Sequence, residues 1–146
     1  MATDFEIQEK FQKILSYAQK AELVGEPKIR ESELIWTEKI LYGFWRPRAY
    51  GEIAINLQDC LDHSESINGE QKYWIRIHVS LVDATGTILR SFCLFSESFF
   101  GNDTQEKEII AILREAKIKI NRICTLKNLR LVKSQNRFIR KSLKKF

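Results

Sequence analysis

The stretch "YWIRIHVSLVDATGTILRSFCLF", Tyr73 to Phe95, constrains the fold more than any other. Tyr73, Ile75, Ile77, Val79 and Leu81 alternate with Trp74, Arg76, His78 and Ser80. A β-strand sends successive side chains to opposite faces, so this period of two gathers the apolar groups on one side. "DATG" then supplies a tight turn, with Gly86 free to take positive φ at a bulge, and "TILRSFCLF" reads as the return strand. The pair is a β-hairpin with one face suited to burial.

The flanking segments supply what covers it. Residues 4–24 carry Ile7, Phe11, Ile14, Leu15, Ala18 and Leu23 at three- and four-residue spacing, the stripe of an amphipathic helix ended by Gly25 and Pro27. A second helix of about six turns is expected from Asn102 or Asp103 onward. Acidic residues fill its first turn, and Ile109, Ile112, Leu113, Ala116, Ile120, Ile123 and Cys124 form its apolar stripe. Between the first helix and the hairpin, Leu34 to Phe44 alternate like a strand interrupted at Glu38, and Ile53, Ile55 and Leu57 mark another. "LRLV", Leu129 to Val132, reads as a short strand, and "NRFIRKSLKKF" as an amphipathic fragment. The expected architecture is a two-layer α+β domain: an antiparallel sheet of three to four strands, with an N-terminal and a long C-terminal helix on one face. Residues 1–125 form the domain and 126–146 a basic extension.

Charge narrows the function. The net charge is +5, yet no acidic residue follows Glu115, and residues 116–146 alone carry +11. The first 115 residues therefore carry −6. Such asymmetry points to a polyanionic partner, or to a tail folding back on an acidic body. Apolar residues interleave with the C-terminal charges (Leu126, Leu129, Leu131, Val132, Phe138, Ile139, Leu143 and Phe146), which argues against plain disorder. The candidate phosphate contacts are Arg122, Lys127, Arg130, Lys133, Arg137, Arg140, Lys141, Lys144 and Lys145, with Arg46 and Arg48 as helpers. Trp45 and Trp74 are the stacking candidates.

The stretch "YGFWRPRAYGEIAI", Tyr42 to Ile55, surrounds Arg46 and Arg48 with aromatic residues. It is read as a strand break at a sheet edge, where Pro47 interrupts the ladder, with an accessory grip on a ligand as the alternative. Trp74, Arg76 and His78 share the second face of the hairpin. The return strand adds to that face either Ile88, Arg90, Phe92 and Leu94, or Leu89, Ser91, Cys93 and Phe95. Both sets are apolar enough to favour a covered face, by the C-terminal segment or by a homodimer.

Catalytic signals are thin. Asp59 with Glu70-Gln71-Lys72 superficially matches a metal-dependent nuclease pattern, in which carboxylates hold Mg²⁺ and lysine positions water. Cys60 and His63 lack the second ligand pair that tetrahedral zinc needs. Nucleophile elbows and glycine-rich phosphate loops are absent. Three widely spaced cysteines, Cys60, Cys93 and Cys124, form no CxxC pair and read as reduced, mostly buried thiols. No cofactor or metal is expected. No apolar run reaches the roughly 18 residues of a membrane span, and the acidic start "MATDFEIQEKFQK" does not resemble a signal peptide, so a cytoplasmic protein is expected. The functional expectation is a non-enzymatic accessory protein that engages nucleic acid or a nucleoprotein complex through its basic C-terminal region. A dimeric adaptor docking on an acidic protein partner is the alternative and a metal-dependent nuclease the third. A membrane surface ranks last among targets of the basic end.

Overall fold

A computed structural model describes residues 4–59 and 73–144, with side chains described for 8–58 and 73–135. The order is α1 (Asp4–Lys20), β1 (Lys28–Arg30), β2 (Glu33–Gly43), β3 (Arg46–Asp59), β4 (Tyr73–Asp83), β5 (Ile88–Phe99), α2 (Asp103–Ile123) and α3 (Leu126–Lys144). The five strands form one antiparallel sheet in the order of the chain. The α+β architecture expected from the sequence is present, with more strands than the three to four expected. The additional one is β1, three exposed residues paired with Glu33, Leu34 and Ile35 at the sheet edge. It is too short to show a period.

One sheet face makes the core. Leu34 and Trp36 of β2, Ile53, Ile55 and Leu57 of β3, and Tyr73 through Leu81 at alternate positions of β4 are buried there. Ile14, Tyr17 and Ala18 of α1 and Ala21 just after it meet them, as do Ile109, Leu113, Ala116 and Ile120 of α2. Gly51 lets the end of α2 settle on the sheet: a Cβ there would stand 2.5 Å from Ile120 Cγ2 and 3.2 Å from Cys124 Cβ. Polar contacts fix the two helices relative to each other. Lys20 pairs with Glu106, and Arg114 and Lys117 donate to the Lys20 and Glu22 carbonyls.

The start of α2 is closed by a reciprocal cap. Asn102 Oδ1 accepts from the Gln105 N–H at 2.8 Å. The buried Gln105 side chain accepts from the Phe100 and Gly101 N–H groups and donates to the Ser98 carbonyl. Four backbone groups at the turn between β5 and α2 are thereby satisfied.

Bulges explain where alternation misleads. Thr37 faces Glu52 and Lys39 faces Gly51, so Glu38 is the extra residue, and its carboxylate accepts from the Val24 N–H at 2.8 Å. In β5 the pairing skips Leu94 and Leu89. His78 therefore faces Cys93, Ser80 faces Ser91 and Arg76 faces Ser96. Neither set expected beside Trp74, Arg76 and His78 occurs whole: two bulges switch the strand's phase twice, so that Ser96, Cys93, Ser91 and Ile88 line up on that face while Leu89 and Phe95 of one set and Arg90, Phe92 and Leu94 of the other do not. Ala54, Ser80 and Val82 are nonetheless buried on it.

Two further expectations change. "LRLV" is helical, because Thr125 caps α3: its hydroxyl accepts from the Asn128 N–H and its carbonyl from the Leu129 N–H. Pro47 does not break a strand. It stands opposite Tyr42 as the second residue of β3, a position where its missing N–H costs the ladder little.

Candidate nucleic-acid interface

Gly43 pairs with Arg46, so β2 and β3 are joined by a two-residue turn, Phe44-Trp45. Phe44 has φ +46°. Two-residue hairpin turns favour glycine or asparagine for positive φ, and an L-residue with a Cβ pays about 1–2 kcal/mol there. The strained residue earns nothing back by burial. Relative exposure is 101% at Phe44, 85% at Trp45 and 63% at Tyr42. The two tip rings instead stack on each other, with centroids 6.3 Å apart and planes 24° apart. Arg46 and Arg48 are exposed beside them. Arg48 is the extra residue of a bulge between the Leu41–Ala49 and Tyr42–Pro47 pairs, and its methylenes lie across Gly43.

The first turns of α3 belong to this same end of the sheet. The end of α2 rests on Gly51, and α3 follows directly. Leu129 joins the core and Val132 is buried one turn on. Lys133 lies near enough to Asp83, the partner of Ala49, to help hold its carboxyl below the usual range. The main cause of that lowering is the hydrogen bond from the Thr85 hydroxyl, with the Thr87 and Thr85 N–H groups adding to it. The hairpin tip projects about 10 Å past Ala49, three residues of strand rise. Lys127 and Arg130, one helical turn apart, are exposed, and so are Leu126 and Leu131.

The expected site residues thus divide. Arg46, Arg48, Trp45, Lys127, Arg130 and Lys133 gather at one end of the sheet, and Arg122 is exposed in the last turn of α2. Among the described residues, no carboxylate forms an ion pair with Arg46, Arg48, Arg122, Lys127 or Arg130. Lys117 and Lys119 are tied to the fold, one on the Glu22 carbonyl and the other over the Phe92 ring at 4.5 Å. Trp74 stands apart. It pairs with Gln58, about 35–40 Å of strand from the tip, and its indole N–H donates to Ser96 Oγ at 2.7 Å. Arg137, Arg140, Lys141 and Lys144 continue α3, but their side chains, like Lys145, lie outside the described residues.

The candidate chemistry around Cys60, His63, Glu70 and Lys72 also lies outside the described residues. Among those described, no three His, Cys, Asp or Glu side chains come together as a metal site. Cys93 is exposed and Cys124 buried, where desolvation pushes its thiol pKa up. No helix among the described residues is long and apolar enough to cross a membrane.

Sequence reasoning named the tip residues but missed their geometry. The usable signal was spacing: two alternating runs separated by Phe44-Trp45 alone fit a two-residue loop. The residues usual for such a turn are missing, which hid it. The chain matches no family model, no curated protein and no solved structure, so its own geometry carries the functional reading.

Proposed function

We propose that this protein is a non-enzymatic accessory factor that engages nucleic acid through the basic end of its sheet. One observation supports the reading above others: cations of β3 and of the first turns of α3, exposed and without an ion pair among the described residues, stand at the end of the sheet from which an exposed aromatic tip projects. Clustered Arg and Lys gain affinity for a phosphate backbone by releasing its condensed counterions. Arginine adds a planar group that stacks as well as pairs. Beyond residue 135 the sequence of α3 holds four further basic residues, Arg137, Arg140, Lys141 and Lys144.

The test is the salt dependence of oligonucleotide binding. A triple variant, Arg46→Glu with Lys127→Glu and Arg130→Glu, removes three exposed side chains outside the core. For a single strand, three lost contacts lower the slope of log K against log salt by about 2. Unchanged affinity and slope in the variant would end the proposal. The same surface offers Leu126 and Leu131 between its cations, which favours an acidic protein partner as the second reading. That reading predicts capture of acidic peptides without any oligonucleotide binding.

A further inference from the structure

We infer that the Phe44-Trp45 tip takes unpaired bases, making the ligand single-stranded rather than duplex nucleic acid. This deepens the proposal above and rests on it. The two rings lie at a 24° interplanar angle with centroids 6.3 Å apart, an offset arrangement in which each keeps a free face. Exposure of 101% and 85% leaves those faces open to solvent. Bases in a duplex have their own faces covered by neighbours, whereas an unpaired base offers a free π-face whatever its identity. Position agrees with chemistry. The tip is the outermost part of the hairpin, and Arg46 follows Trp45 directly, so a stacked base brings its phosphate toward a guanidinium. The backbone strain at Phe44 is sited on the residue that does the stacking, which is where strain without a folding benefit points to use.

The experiment compares a fluorescein-labelled oligonucleotide of about 12 nucleotides, within the usual footprint of single-strand binders, with its blunt duplex. Anisotropy is followed with the full chain and with Trp45→Ala and Phe44→Ala. Stacking of one base is worth roughly 5- to 150-fold in affinity. The single strand binds at least tenfold more tightly than the duplex, on the order of one stacked base. Trp45→Ala lowers single-strand affinity by about tenfold and leaves duplex affinity and the salt slope unchanged. Equal affinity for both forms, or equal loss on both, overturns the inference while leaving the broader reading intact. Failure of both forms to bind removes the broader reading as well. Vesicles containing phosphatidylserine form the third arm. A blue shift of the tryptophan emission on vesicles that Trp45→Ala abolishes, without any response to oligonucleotide, assigns the tip to a membrane surface and overturns both.

Discussion

Two glycine substitutions separate core packing from surface adjustment. Gly51→Ala places a methyl group 2.5 Å from Ile120 Cγ2, 3.2 Å from Cys124 Cβ and 3.3 Å from Cys124 Sγ. Ile120 is 1% exposed and Cys124 fully buried, so the end of α2 must lift by about 1 Å to reach ordinary contact. Overpacking of that kind costs about 1–3 kcal/mol, offset by the roughly 0.5–1 kcal/mol that alanine gains over glycine in a strand. Gly43→Ala looks worse by distance, 2.0 Å from Arg48 Cδ. Its neighbour, however, is an exposed, flexible side chain that can swing into water, so the net change stays within about 0.5 kcal/mol of zero. The smaller overlap therefore costs more. Urea titrations followed by far-ultraviolet circular dichroism measure both. Gly51→Ala lowers stability by about 1–2 kcal/mol, or about 2–8 °C in Tm for a chain of this size. A double-mutant cycle with Ile120→Ala completes the case. Removing Cγ2 clears the overlap, and the two changes together cost about 1 kcal/mol less than their sum. Additive costs, or a larger loss at Gly43 than at Gly51, would refute the assignment of Gly51 as the seat of α2.

The other expectations concern pH, capping and thiols. Burial raises the Glu52 pKa, and Glu33 adds to this against the opposing charges of Lys28 and Arg30. A raised folded pKa means that ionising Glu52 weakens the fold. Glu52→Gln should therefore stabilise at pH 7, with the gain vanishing below the unfolded pKa of about 4.3; a gain that grows on acidification would contradict this. Gln105→Ala leaves the Phe100 and Gly101 N–H groups and the Ser98 carbonyl without their partner, a loss of about 2–3 kcal/mol in the same urea titration. Cys124 is fully buried with a raised pKa, so a Cys60→Ser, Cys93→Ser variant should react with a disulfide reagent only when denatured. Fast reaction in native buffer would mean that the α2–α3 junction opens readily.

What could be read from the sequence depended on how local its cause was. The β4 alternation and the α2 stripe were legible because one face of each element meets the core without interruption. Gly86 at φ +91° stands in the turn expected for it. The second face was illegible because Leu89 and Leu94 are bulge residues, and a bulge leaves no mark in composition while reversing every side chain beyond it. The helical state of Leu129 to Val132 was hidden likewise. Leu and Val at that spacing suit either period, and the Thr125 cap that decides between them lies outside the four residues. Among the site residues, Arg46, Arg48, Trp45, Lys127 and Arg130 were nameable from charge and aromatic content. Their meeting at one end of the sheet was not, since it depends on Gly51 seating α2 and on Leu129 anchoring α3.

That anchoring changes what the basic segment is. A solvated tail would carry its charges independently of the domain, and its deletion would leave the fold alone. Here the first turns of α3 bury Leu129 completely and Val132 to 3% exposure, on the same helix face spacing that leaves Lys127 and Arg130 outward. Burial of one leucine is worth about 1.5–3 kcal/mol, so those cations are held by the core and not by their own helix propensity. Holding them in place removes the ordering entropy that a flexible tail would pay on binding. Charge substitution at Lys127 and Arg130 is thus the clean perturbation, whereas removing residues 126–146 would alter the core and the surface together. Anchoring of the first turns of α3 also ties Lys127 and Arg130 to the sheet that carries the Phe44-Trp45 tip. In the proposed interface, cations and tip belong to one surface only because both are fastened to the same end of one sheet.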